Sequence, residues 1–175
     1  LFRDVSYSHW AKTEIAYLVD KNIINGYRDG TFKPEQDLTR VHAALLLARE
    51  MNIPLTGNPD PGFADIGKDH PYYDVIAAVA HHGIITGKDG GTWFDPNGKL
   101  TRAQMAVILQ RAYNLTGNPT TRFSDVPNNY WATNEIHALR ATGVTTGYQA
   151  DNTFRPQNTV TRAQFSAFLY RTLTR

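Results

Sequence analysis

The sequence predicts an all-α fold built from three helix–loop–helix repeats, and three observations carry that prediction. The phrase Thr39-Arg40-Val41 returns as Thr101-Arg102-Ala103 and Thr161-Arg162-Ala163, about every sixty residues. Apolar residues recur at helical spacing on both sides of a turn-rich loop in every copy. Helix stop and start signals fall at equivalent points each time. The repeats divide the chain as 1–57, 58–117 and 118–175, within a single domain over 1–175.

Each repeat opens on Phe2-Arg3-Asp4-Val5, Phe63-Ala64-Asp65-Ile66 or Phe123-Ser124-Asp125-Val126. A turn-forming or aromatic stretch follows, at Ser8-His9-Trp10, Asp69-His70-Pro71 and Asn129-Tyr130-Trp131. The first helix then buries Ile15, Leu18 and Val19, or Ile76, Val79 and Ala80, or Ile136 and Leu139. Asn22, Gly83 and Gly143 share one position, and an Asn/Gly interchange marks a left-handed residue just past a helix end.

Short apolar steps, Ile23-Ile24, Ile84-Ile85 and Val144-Thr145, lead to Gly26, Gly87 and Gly147. A glycine at that point in every copy implies a positive φ or a close approach of another group to bare backbone. The loops Asp29-Gly30-Thr31-Phe32, Asp89-Gly90-Gly91-Thr92-Trp93-Phe94 and Asp151-Asn152-Thr153-Phe154 begin on turn dipeptides, and each Phe is expected to anchor its loop in the core. The spacing from Pro34, Pro96 and Pro156 to the following Thr is constant, so the loop is expected to lie rigidly against the second helix.

That helix has a well-marked start. Thr101 with Gln104 and Thr161 with Gln164 form capping boxes, and Leu100 with Met105 and Val160 with Phe165 have the spacing of hydrophobic staples. Val41 and His42 break the box in the first copy. The core stripes are Leu45 and Leu46, then Met105, Ile108 and Leu109, then Phe165, Phe168 and Leu169. Thr56-Gly57-Asn58-Pro59 and Thr116-Gly117-Asn118-Pro119 read as linkers.

Composition narrows the function classes. Of 175 residues 41% are hydrophobic and 19% charged, enough apolar material for a compact domain, and the formal net charge of +2 creates no field that would steer the chain onto nucleic acid. The absence of cysteine excludes disulfide and thiolate chemistry. No apolar run is long enough to span a bilayer, and no signal-peptide pattern stands at Leu1. Because the chain starts and stops at repeat boundaries, an excised portion of a longer protein is expected. The six histidines include no His-Glu-x-x-His, no acidic loop has calcium-binding spacing, and no isolated carboxylate pair suits glycoside hydrolysis, so neither an enzyme nor a cofactor is expected.

The recurring arginine carries the functional reading. A helix N-terminus holds unsatisfied N–H donors and a partial positive charge, so a cation there is mildly unfavourable unless an anion binds. The opposing reading pairs Arg40, Arg102 and Arg162 with Asp4, Asp65 or Asp125, although those aspartates are expected to cap loops or helices. Trp10 and Trp131 present flat faces for sugar stacking or, alternatively, for core packing; Tyr27 and Tyr148 add a ring with a hydroxyl. Lys88 replaces that tyrosine in the second copy, where Trp93 is a candidate substitute ring and Pro71 stands in place of the tryptophan. Gly26, Gly87 and Gly147, together with Thr31, Thr153, Gln104 and Gln164, complete the candidate ligand-binding set.

The order Phe-x-Asp-Val, Trp-Ala, Gly-Ile-Ile, Gly-Tyr-x-Asp-Gly-Thr-Phe-x-Pro and Leu-Thr-Arg-Ala-Gln resembles the S-layer homology module, in three tandem copies covering essentially the whole chain. The resemblance implies a pseudo-threefold spindle around a central three-helix bundle. It implies a secreted, cell-wall-anchoring module of a bacterial surface protein that binds secondary cell-wall polysaccharide, commonly through terminal pyruvylated N-acetylmannosamine. Grooves between modules would hold the sugar, with the Arg of the Thr-Arg-Ala-Glu motif as the principal residue. Here Gln or His stands where that motif has Glu, and one or two of the grooves are expected to be competent. The expected partner is the polysaccharide, with no nucleic acid and no membrane, and the isolated domain is expected to be monomeric. Peptidoglycan, another polysaccharide or another surface protein is the alternative partner.

Overall fold

The computed structural model describes residues 2–175; Leu1 lies outside the described residues. Six α-helices are present among them, with no sheet: α1 Lys12–Asp20, α2 Arg40–Glu50, α3 Tyr73–His81, α4 Arg102–Tyr113, α5 Thr133–Ala141 and α6 Arg162–Leu173. The all-α reading therefore holds. None of the helices is long and apolar enough to cross a membrane.

The chain forms two compact units, Leu38–Lys99 and Leu1–Asp37 with Leu100–Arg175. In the first, α2 packs on α3; in the second, α4 packs on α5 and on α6, and α6 packs on α1. Each second helix of a repeat is thus paired with the first helix of a different repeat.

The helix ends follow from the residues that mark them. Asn22, Gly83 and Gly143 have φ of 56°, 69° and 76°, the left-handed conformation expected just past a helix end. The next residue in each copy, Ile23, Ile84 or Val144, donates its N–H back to the carbonyl of Leu18, Val79 or Leu139 at 2.9 Å. This bond pulls the apolar step into the core, where Ile24, Ile84, Ile85 and Val144 are buried. Ile15, Leu18, Ile76, Val79, Ile136 and Leu139 form the buried faces of α1, α3 and α5. In α2 the stripe runs differently from the expected Leu45 and Leu46: Leu47 is fully buried beside Leu46, while Leu45 is only half-buried.

The loops are built around a carboxylate. Asp4 accepts the N–H groups of Phe32 and Lys33 at 2.8 Å each, Asp65 those of Phe94 and Asp95 at 2.9 and 2.7 Å, and Asp125 those of Phe154 and Arg155 at 2.8 Å each. These aspartates are loop caps, as expected, and not partners of the arginines. The clamp holds Lys33, Asp95 and Arg155 in left-handed backbone, with φ of 56°, 57° and 58°, a conformation that side chains of these types seldom adopt unaided. Phe32, Phe94 and Phe154 are completely buried, each with its ring against the phenylalanine that opens its own repeat.

That opening phenylalanine explains the recurring glycine. A Cβ on Gly26 would stand 2.1 Å from the Phe2 ring and 2.8 Å from the Thr31 carbonyl oxygen; on Gly147 it would stand 2.3 Å from the Phe123 ring and 2.6 Å from the Thr153 oxygen. Gly87 is crowded by Phe63 and Trp93 in the same way.

Two outcomes follow for stability. Gly26→Ala forces the Phe2 ring or the loop backbone to move and is expected to cost about 2 kcal/mol, read from urea denaturation. Burial acts to raise the Asp4 pKa, but the N–H groups of Phe32 and Lys33 outweigh it and hold the carboxyl below its ordinary value. A depressed folded-state pKa gives stability that is present above the unfolded value of about 4 and is lost as pH falls through the folded one. Urea midpoints measured across that acid window are expected to fall, with a shallower slope in Asp4→Ala.

Candidate functional site

Each recurring arginine is the first residue of its helix, and the helix start rests on the loop of another repeat. Arg40 and Val41 donate their backbone N–H groups to Gly98 and Pro96; Arg102 and Ala103 donate to Asn158 and Pro156; Arg162 and Ala163 donate to Gln36 and Pro34, all between 2.8 and 3.0 Å. The third N–H goes to the capping hydroxyl, from His42 to Thr39, from Gln104 to Thr101 and from Gln164 to Thr161. Gln104 and Gln164 return the bond to the cap backbone, completing the two expected boxes, and the first copy lacks one. The expectation that free helical N–H groups await an anion is therefore corrected. Neighbouring carbonyls have taken them, because the constant Pro-to-Thr spacing lays each loop along the helix start of a different repeat.

The guanidinium groups are the remaining donors. Arg40, Arg102 and Arg162 are only 4%, 4% and 7% exposed, and each donates Nε–H to the carbonyl of a loop phenylalanine: Phe94 at 2.6 Å, Phe154 at 2.6 Å and Phe32 at 2.8 Å. Among the described residues no carboxylate pairs with them. Burial pushes all three below the ordinary arginine range, opposed by Asp95 and Asp65 at Arg40, by Tyr148 and Asp125 at Arg102, and by Tyr27 and Asp4 at Arg162. Aromatic rings supply the rest of their surroundings. The Arg102 head lies 4.6 Å from the Phe154 ring, 5.0 Å from Tyr148 and 5.2 Å from Phe168, and Arg162 lies 4.5 Å from Phe32 and 5.1 Å from Tyr27. Arg40 has Phe94 at 5.3 Å, with Lys88 where the other copies have tyrosine.

The three heads differ in what is left to bind. Arg162 gives Nη2–H to the Asn25 carbonyl at 2.9 Å. Arg40 has its Nη2 sealed from solvent without an acceptor. Arg102 makes only its Nε bond among the described residues, and it lines a pocket of about 150 Å³. That pocket brings together Arg102, Trp10, Gly147, Tyr148 and Gln164 from the residues singled out by sequence. Trp10 is 55% exposed, so its core-packing alternative is excluded. Trp131 is 61% exposed and stands beside Tyr130, outside this pocket.

Other candidates are engaged elsewhere. Lys88 is ion-paired to Asp95 at 2.8 Å. Thr31 and Thr153 donate their hydroxyls to Asp29 and Asp151 at 2.6 Å within their own loops. Gly147 gives its N–H to the Thr145 hydroxyl at 3.0 Å, and Gly26 and Gly87 serve ring packing. Tyr27 donates to Gln36 at 3.1 Å. Thr145, Thr146 and Arg171 line the pocket and were not anticipated. Arg171 has a sequence signal, since an arginine stands nine residues after the motif arginine in every copy, at Arg49, Arg111 and Arg171. Among the described residues no group of side chains is arranged to hold a metal ion.

The chain matches the S-layer homology domain over residues 1–44, 62–106 and 122–166, and belongs to that family. It is 37% identical to an S-layer protein of Bacillus thuringiensis subsp. finitimus and 36% identical to the S-layer protein sap of Bacillus anthracis, in each case over 98% of this chain and 21% of the relative. An uncharacterized cell wall amidase of Bacillus anthracis is 34% identical over 98% of this chain and 32% of its own length. The chain thus spans about a fifth of the length of the S-layer relatives it matches. Its class is that of a surface-associated cell-wall anchoring module, a binding role that the relatives combine with different attached regions.

The unequal bonding of the arginines has a measurable consequence. Arg162→Ala removes two guanidinium hydrogen bonds and leaves the Phe32 and Asn25 carbonyls without that donor, and is expected to cost about 3 kcal/mol in urea denaturation. Arg102→Ala removes one and is expected to cost about 2 kcal/mol. Equal losses would contradict this difference in bonding.

Proposed function

We propose that this module anchors its parent protein to the cell wall by binding the acidic terminal sugar of secondary cell-wall polysaccharide, a pyruvylated N-acetylmannosamine, in the Arg102 pocket. The observation that carries the reading is an arginine nine-tenths buried, hydrogen-bonded among the described residues through Nε alone, and lining a pocket that has no carboxylate in its wall. Burying an unpaired charge is costly, and an incoming carboxylate offsets that cost with charge-assisted, bidentate hydrogen bonds. A pyruvate ketal holds such a carboxylate rigidly on a pyranose ring. The exposed Trp10 offers the ring a flat apolar face, while Thr146, Tyr148 and Gln164 provide polar edges for its hydroxyl and N-acetyl groups.

The same reasoning ranks the grooves. Arg162 has already committed a terminal nitrogen to Asn25, and Nη2 of Arg40 is closed off from solvent. One saccharide per chain is the expected stoichiometry. The proposal carries with it the repeats 1–57, 58–117 and 118–175 and the pseudo-threefold spindle implied by the family resemblance.

Purified cell-wall polymer is expected to retain the chain in pull-down, and mild acid removal of the pyruvate ketal is expected to abolish retention. In calorimetry Arg102→Ala is expected to lose about 2 kcal/mol of binding free energy. Arg102→Lys, which keeps the charge without the bidentate fork, is expected to fall between the two. Full affinity after ketal removal would favour peptidoglycan or another surface protein as partner.

A further inference from the structure

We propose that the Arg102 pocket takes an end group carrying two separate negative charges, and that Arg171 reads the second. The inference rests on the assignment of the sugar carboxylate to Arg102 and specifies the ligand more closely. Arg171 stands in the last turn of α6 and lines the same pocket that Arg102 borders from the first turn of α4. A cation at a helix C-terminus is favourable in itself, which accounts for its recurrence as Arg49 and Arg111. It does not account for the setting of Arg171. Arg49 and Arg111 are exposed and have interactions within the protein, whereas Arg171 is half-buried and forms no hydrogen bond or ion pair among the described residues.

Charge balance then limits what the pocket accepts. Two arginines line about 150 Å³, and the wall contains no aspartate or glutamate to neutralise either. The other polar groups of the wall are neutral: hydroxyls on Thr145, Thr146 and Tyr148 and the amide of Gln164. A single carboxylate, even shared by both guanidinium groups, leaves one net positive charge in a partly desolvated space. A second oxyanion on the same sugar, either a phosphate ester or another carboxylate, satisfies both, and each charge-assisted contact adds affinity without new apolar area. The pocket therefore selects a dianionic over a monoanionic sugar end.

Three synthetic probes test this by calorimetry on the full 175-residue chain. They are the methyl glycoside of pyruvylated N-acetylmannosamine, and the same glycoside carrying, on a hydroxyl free of the ketal, either a methyl phosphodiester or a carboxymethyl ether, each of which adds one negative charge. A dianionic probe is expected to bind the wild-type chain about tenfold more tightly than the methyl glycoside, and the probe that shows the gain identifies phosphate or carboxylate as the second anion. Arg171→Gln is expected to bring that ratio close to one, and Arg171→Lys to keep part of it. Equal binding of all three probes by the wild-type chain, or a ratio unchanged in Arg171→Gln, overturns the inference while leaving the Arg102 assignment in place. Failure of every probe to bind overturns both.

Discussion

The transfer of a loop's carbonyl groups to the helix start of another repeat is the interaction on which the remaining features depend. A helix begins with N–H groups that have no partner in their own turn. In this chain the first two are met by the loop following Pro34, Pro96 or Pro156, and the third by the capping threonine. Those carbonyls can only arrive in register if the loop backbone is held at a definite curvature. The aspartate clamp, the left-handed residue after each loop phenylalanine and the bare backbone under the opening phenylalanine supply that curvature together. The fixed interval between the proline and the threonine is the sequence trace of this register.

The same interaction decides where an anion can be met. With the helical N–H groups occupied, the proposed recognition rests on the guanidinium of the first residue, whose burial the surrounding carbonyl and aromatic groups make tolerable. Three copies of one motif then become three different chemical groups. A single additional acceptor, the Asn25 carbonyl, engages one of them, while Nη2 of Arg40 is buried and meets no acceptor among the described residues. Identical motif letters thus do not imply equal surroundings; the copies differ in what their outer nitrogens meet.

Much of this was legible in the residues because the signals were local. The Asn and Gly stops, the Thr and Gln boxes and the phenylalanine anchors each depend on a few neighbouring positions, and the structure places them as expected. The exchange of partners between repeats was not legible, since tandem copies have the same pattern whether a loop rests on its own helix or on another. The left-handed turn at Lys33, Asp95 and Arg155 was hidden for a different reason: the residue types vary, and the conformation is imposed from the distant Asp4, Asp65 and Asp125. Among the candidate site residues, Arg102, Trp10, Tyr148, Gly147 and Gln164 converge, whereas Thr31 and Thr153 are consumed by their own turns. Arg171 escaped notice because a basic residue at a helix end has an ordinary electrostatic explanation.

The pairing of α2 with α3, α4 with α5 and α6 with α1 has a genetic corollary. The segment that is duplicated and the segment that packs are out of phase by half a copy. A gene fragment encoding one copy would therefore specify two unmatched halves rather than a smaller version of the whole. Loss of the third copy would strip α1 of α6, the helix it packs against, so each copy depends on another for its packing.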